Sequence, residues 1–251
     1  MSDWNATEYD RISQVQLAWG KHVLARRAWK GNEIVLDAGC GSGGLTRLIA
    51  GKVQEGRVYA VDKDLDMVRH TREKLAGLHN VQVIQADLAQ VKLPEQVDVV
   101  FSNAVLHWVM DHGKAFANFY MLLKEGGKLV AQCGGQGNLD KAIAILDGIA
   151  ASEPFAAHFA GWQKPWNFAG PQDTEILLRR AGFAKASAYI SSEPTTFASH
   201  DQFSSFVKTV VIWPYLSRLP AESRERFLKA YLNGCQEWVL DYVRLNISAL
   251  K

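Results

Sequence analysis

The chain has 251 residues, a formal net charge of +2, 48% hydrophobic residues and 22% charged ones. That length accommodates one large domain, or one domain with an insert, and leaves little room for two full domains. The balanced charge, with no block of five or six like charges, points away from an electrostatic nucleic-acid binder. No stretch approaches the roughly 18 apolar residues of a bilayer span. The first ten residues are polar and lack the apolar run of a signal peptide. Cys40, Cys133 and Cys235 are odd in number and far apart. They fit a reducing, cytoplasmic compartment better than a disulfide framework or a metal site, and no metal is expected.

Taken in chain order, 33–37 is a short apolar run that ends at the glycine cluster 39–44, and 45–51 then reads as a helix. A β-rich run, 57–61, closes on Asp62, and Asp64 is placed to cap the helix carrying Met67, Val68 and Leu75. Residues 81–84 and 97–101 read as a third and a fourth strand, 111–123 as a helix, and 128–132 as a fifth strand after Gly126-Gly127. Strands with near-continuous apolar cores, separated by helix-length segments, predict an α/β fold with a mostly parallel sheet covered on both faces. Residues 138–175 look helical and irregular. A helix over 174–180 is expected to stop at Gly182, followed by a strand over 184–190, helices over 201–211 and 220–238, and a β-compatible segment over 241–249. Trp19, Trp29 and Trp238 are expected in the core.

Val35-Leu36-Asp37-Ala38-Gly39-Cys40-Gly41-Ser42-Gly43-Gly44 carries the strongest functional signal. Glycines permit a sharp strand-to-helix turn and a close approach of ligand to backbone. Gly39, Gly41 and Gly44 also satisfy the dinucleotide pattern, so an NAD-dependent oxidoreductase is one reading. Charge separates the two. Asp37, just before the loop, would repel a pyrophosphate, whereas it would attract an ammonium or sulfonium ion such as those of S-adenosylmethionine. Asp62 can accept from both ribose hydroxyls or simply cap a turn. Asp87, after the third strand, suits the adenine amine beside Leu88, and is also an ordinary turn residue. Cys40 reads as a small packing residue rather than a reactive thiol.

Asp37-Ala38-Gly39-Cys40-Gly41-Ser42-Gly43, Val61-Asp62 and Ala86-Asp87 resemble the successive cofactor motifs of class I methyltransferases. The resemblance implies a Rossmann-like, seven-stranded, mostly parallel sheet of order 3-2-1-4-5-7-6, strand 7 antiparallel. A helical cap insertion is expected with it. It also implies Asp37, Gly39 and Gly41 at the methionine end, Asp62 on the ribose and Asp87 at the adenine, with Lys63, Leu88 and Asn103 beside them and Tyr9 closing over the cofactor. A single domain over 1–251 is expected. Its core covers about 22–134, 172–192 and 240–251, and its substrate cap about 1–21, 135–171 and 198–239.

Tyr9 with Ser13-Gln14-Val15-Gln16, Leu106-His107-Trp108-Val109 and Trp213-Pro214-Tyr215 through Pro220 resemble the juvenile hormone acid methyltransferases. Trans-aconitate methyltransferases are a more distant match, with a similar Asp3-Trp4-Asn5 start. Both families methylate carboxylates, and the resemblance puts Gln14 and Trp108 on the substrate carboxylate. Both offer uncharged N–H donors. A carboxylic acid of pKa about 4 to 5 is already ionised at neutral pH and needs no general base. Trp162, Trp166 and Phe168 suggest an apolar substrate pocket or plain packing. One alternative is an O-, N- or C-methyltransferase of a neutral small molecule with His107 as base; another is a non-catalytic S-adenosylmethionine-binding protein. The expected partner is a small carboxylic acid, with no nucleic acid and no membrane span, and the chain a monomer or homodimer.

Overall fold

The computed structural model describes residues 14–251, with side chains from Gln16 onward. The main sheet contains β1 (Ile34–Ala38), β2 (Arg57–Asp62), β3 (Val81–Gln85), β4 (Val97–Asn103), β5 (Leu123–Gly134), β6 (Lys185–Ser192) and β9 (Val243–Leu250). Its order is β3-β2-β1-β4-β5-β9-β6. The strands β3, β2, β1, β4 and β5 run parallel, whereas β9 pairs antiparallel with β5, from Lys128 opposite Leu250 to Gly134 opposite Arg244. This is the Rossmann-like topology expected. The seventh strand of the sheet is ninth in the chain because a two-stranded ribbon intervenes, β7 (Thr195–Thr196) with β8 (Val239–Leu240).

Alternate residues of a strand face opposite sides of the sheet, and the apolar runs cover both. On one side Val35, Val58, Val99 and Phe101 pack with Val23 and Leu24 of helix α1 (Gln14–Ala25) and Ile49 of α2 (Gly44–Lys52). On the other, Leu36, Tyr59, Val61 and Val100 pack with Phe116 and Phe119 of α4 (His112–Leu122) and Leu178 of α7 (Pro171–Ala181). Caps fix where helices start. Asp64 accepts from the Asp66 and Met67 amides ahead of α3 (Leu65–Leu75), and Asp111 from the Lys114 amide ahead of α4. Gly182 ends α7 at a φ of 111°, the stop expected of it.

The chain divides into two compact units: the first runs to Gln136 and includes Asn167–Ser191 and Arg244–Lys251. The second comprises Gly137–Trp166 and Ser192–Val243, with α5 (Asp140–Ala150), α6 (Ala156–Phe159), α8 (His200–Phe206), α9 (Trp213–Leu216) and α10 (Ala221–Gly234). Helix α1 packs in the first unit, on β4 and β5.

Several expected bounds shift. The helix expected over 201–211 is α-helical only to Phe206 and continues as a π turn, Val207–Val211, in which the Ile212 amide reaches the Val207 carbonyl at 2.8 Å. The helix expected to reach residue 238 stops at Gly234, since Val239 and Leu240 pair with β7 instead. Trp238 therefore lies outside the helix and is 43% exposed, against its expected place in the core. Trp19 is buried as expected, and Trp29 is half-buried with its indole N–H on the Leu24 carbonyl. The fifth strand runs longer than 128–132, continuing back through Gly126 at a φ of 74°.

Candidate functional site

A cavity of about 650 Å³ opens in the first unit at the carboxyl ends of the parallel strands, where α/β sheets bind their ligands. Its glycine loop is tied to the neighbouring strand: the Gly39 and Cys40 amides both donate to the Val61 carbonyl, at 2.8 and 2.9 Å, and Thr71 Oγ1 donates to the Gly41 carbonyl at 2.6 Å. Gly39 has a φ of 85°, and a Cβ there would lie 2.2 Å from the Val105 side chain. Gly41, at a φ of 52°, has nothing within 4 Å of its missing Cβ. The first glycine makes room for protein, the second for a ligand.

Asp37, Asp62 and Asp87 all line the cavity, one at the carboxyl end of each of three adjacent strands. Asp37 is 2% exposed and accepts from Thr46 Oγ1 at 2.6 Å. Burial pushes its pKa up to about 7, with the Thr46 hydroxyl opposing and Asp62 adding to the rise. The Asp62 carboxyl accepts from the amides of Gly41 and Asp64, each at 3.0 Å. Burial raises its pKa, and those two amides oppose the rise. A buried carboxyl, Asp37, raised further by the neighbouring Asp62 defines a place that a cation would stabilise. Asp87 is exposed, with Oδ1 on the Ala89 amide at 2.8 Å, and Leu88 beside it is buried. Lys63 also lines the cavity. The Cys40 thiol is pushed up by burial, then by Asp62 and Asp37, so it stays protonated and unreactive.

The other end of the cavity is made by α1 and the segment after β4. Asn103 Nδ2 donates to the Gln16 carbonyl at 3.0 Å. Asn103 Oδ1 and Gln16 Oε1 are buried with no hydrogen-bond partner among the described residues. Buried polar atoms of this kind cost free energy until a ligand satisfies them. Ala104 takes a φ of 59°, and the chain then makes a 3₁₀ turn, Leu106–Trp108, that brings Trp108 to the cavity wall.

The expected residues Asp37, Gly39, Gly41, Asp62, Lys63, Asp87, Leu88, Asn103 and Trp108 thus come together on one cavity. Tyr9 lies outside the described residues. Gln14 begins α1, with its side chain outside them. Gln16 is the residue the sequence reading passed over. It shares the inward face of α1 with Trp19, Gly20 and Val23, all buried, at the spacing of one helical stripe. That stripe was the available signal. Trp162 and Trp166 belong to the second unit, where both rings pack on Tyr215, at 4.8 and 6.2 Å between centroids. Phe168 packs on His107 at 5.9 Å.

His107 does not line the cavity. Its Nδ1 accepts from the Gly134 amide at 3.2 Å, so the neutral ring carries its proton on Nε2 and has no lone pair to spare. Burial, then Arg244 and His112, push its pKa down to about 3. The expectation of His107 as a general base is corrected by this geometry.

An acid-lined α/β cavity with a glycine loop is a nucleoside-cofactor site. Residues 36–131 match the family model described as a methyltransferase domain. A trans-aconitate 2-methyltransferase of Rhodopseudomonas palustris is 30% identical, over 92% of this chain and 89% of its own. Two solved structures share the fold. The YcgJ protein of Bacillus subtilis has a TM-score of 0.65 at 16% identity, covering 95% of this chain and 98% of its own. The phosphoethanolamine N-methyltransferase 2 of Haemonchus contortus, solved with S-adenosylhomocysteine, has a TM-score of 0.64 at 18% identity, covering 99% and 57%. The chain belongs to the class I S-adenosylmethionine-dependent methyltransferases, and its cofactor is S-adenosylmethionine. The residues present fit that cofactor: buried acids for its cationic end, the orphaned Asn103 oxygen for its N–H donors, an open glycine, and a volume within roughly the 300 to 1,000 Å³ usual for such ligands.

Proposed function

We propose that the protein methylates the carboxylate of a small or lipophilic acid, giving a methyl ester. The observation that carries this reading is the makeup of the substrate end. Gln16 and Trp108 line it, and no histidine lines the cavity among the described residues. Asp111, which lines the same cavity, has its carboxyl held below the usual range by the Lys114 amide and ammonium, so it is a poor proton acceptor. An alcohol or phenol would need a base in this position, and a carboxylate does not. The relative named for trans-aconitate supports the same substrate chemistry.

S-adenosylmethionine, once bound, would supply an electrophilic methyl carbon to a carboxylate oxygen, the electron pair of the broken C–S bond staying on sulfur. Asp37 would supply negative charge at the methionine end, Asp62 would accept from the ribose hydroxyls, and Asp87 from the adenine amine. Gln16, in the role first expected of Gln14, donates an amide N–H to the acid, and Trp108 donates its indole N–H. These neutral donors orient the oxygen without quenching its nucleophilicity. Orientation alone supplies on the order of 7 to 11 kcal/mol.

The test is incubation with methyl-labelled S-adenosylmethionine and a panel of fatty, terpenoid and polycarboxylic acids, followed by mild base. Label released as methanol is the expected result. Label that survives base would replace the ester with an ether, amine or carbon product.

A further inference from the structure

The hydrogen bond between Thr46 and Asp37 spans the glycine loop, from near the end of β1 to the first turn of α2. Thr46 is fully buried, on the stripe of α2 that also carries Ile49 and Ala50. A valine would fill that place with the same shape and no polar atom. A hydroxyl buried there without a partner would be unfavourable. What threonine adds at this position is its one hydrogen.

A threonine in a helix often turns its hydroxyl back on the carbonyl four residues earlier. Thr46 gives its hydrogen to Asp37 Oδ2 instead, at 2.6 Å, within the short range of a hydroxyl on a carboxylate. The bond commits Oδ2. No described residue donates to Oδ1 of the same carboxyl, and Asp37 lines the cavity. Donation to a carboxyl favours its charged form, and here it opposes the rise that burial and Asp62 impose. The other charged side chains on the wall are Asp64, Asp87, Asp111, Lys63 and Lys74. The Cys40 thiol, pushed up by burial and by both acids, stays protonated. From β4 and α1 come Ser102, Asn103 and Gln16, none of which titrates.

We propose that Thr46 is a positioning residue for the methyl donor, its hydroxyl holding Asp37 Oδ2 so that Oδ1 meets the cofactor's cationic end as a carboxylate. This rests on the placement of Asp37 at the methionine end, and is independent of which acceptor is methylated. The remaining ties of the loop, to Val61 and Thr71, do not involve Thr46 and survive its replacement.

Affinity for S-adenosylmethionine, with no acceptor present, is measured by calorimetry from pH 6 to 9 on the intact protein and on Thr46→Val, Thr46→Ser and Asp37→Asn. The cofactor's own amino group titrates alike in all four, so differences among them report the protein. Thr46→Val should weaken binding about eightfold at pH 6.5 and less than about twofold at pH 9, a move of roughly one pH unit and the scale of a charge-assisted hydrogen bond. Thr46→Ser keeps the hydroxyl and loses the methyl group, and should bind within about twofold of the parent throughout. Packing alone predicts the reverse order, a harmless valine and a harmful serine, and that order would overturn the proposal. A loss in Thr46→Val that is equal at every pH would overturn it too. Should the valine variant not fold, a full-unit move in Thr46→Ser is the overturning result. Asp37→Asn separates the two readings. If it abolishes the pH dependence while Thr46→Val leaves it in place, the role of Thr46 alone falls; if it changes nothing, the placement of Asp37 falls and takes this inference with it.

Discussion

The two ends of the main cavity are built by different means. Between β1 and β3 it is walled by carboxyls at strand ends, each bonded to a backbone amide or a neighbouring hydroxyl. Around Gln16, Asn103 and Trp108 it is walled by neutral groups, delivered by a helix and a 3₁₀ turn, and two of their oxygens have no partner among the described residues. The charged end is fixed by the sheet before any ligand arrives. The neutral end keeps acceptors that, on the proposed function, only a ligand could satisfy. A methyl donor that is always the same can be met by a rigid wall, and an acceptor that differs between relatives by an adjustable one.

The largest effect expected on this contrast is Asp62→Ala. It removes charged acceptors worth about 1.5 kcal/mol each and also releases the Gly41 and Asp64 amides. S-adenosylhomocysteine affinity, read by calorimetry, should fall about 100-fold. A loss of less than threefold would place the ribose elsewhere. The neutral end should respond in the opposite pattern. Trp108→Phe and Gln16→Leu should each lower kcat/KM for the acid about tenfold, near the value of one hydrogen bond, and change S-adenosylhomocysteine affinity less than twofold. An equal loss in both quantities would erase the distinction between the ends.

A smaller effect comes from Asp37, whose folded pKa near 7 lies above its ordinary 3.8. The folded protein therefore holds an extra proton between about pH 4 and 7, and this contribution to stability is lost as pH rises through 7. A cation beside Asp37 needs the ionised form, so S-adenosylmethionine affinity should climb between pH 6 and 8. Asp37→Asn should flatten that climb, weaken binding at pH 8, and raise the cofactor-free Tm at pH 8 by about 3 °C, roughly 1 kcal/mol. A Tm below the parent's at pH 8 would contradict the raised pKa. Smallest is Ala104→Gly, which relaxes the positive φ and should add about 1 °C in a melting experiment, with turnover nearly unchanged.

The charged end was legible in the sequence because its signals are local. Asp37, Asp62 and Asp87 each stand at the end of a strand, and the strand order follows from the resemblance those motifs carry. The neutral end was less legible. Gln16 and Gln14 sit two residues apart, and only the rotation of α1 places the Gln16 carbonyl on Asn103 and its side chain in the cavity wall. The bond that removes the His107 lone pair comes from Gly134 at the end of β5, a partner no spacing announces. The π turn after Phe206 and the two-residue strands β7 and β8 likewise depend on tertiary pairing, too short to leave a pattern.

The absent side chain at Gly39 leaves room that Val105 occupies. Two positions far apart in the chain and adjacent in the cavity wall thus share a single volume. In inheritance this makes them one character: a larger residue at 39 is viable only in a lineage that has already lost bulk at 105. Diversification of substrate choice through the segment after β4 must therefore pass around Val105 rather than through it, and the methyl-donor loop constrains the history of the acceptor site.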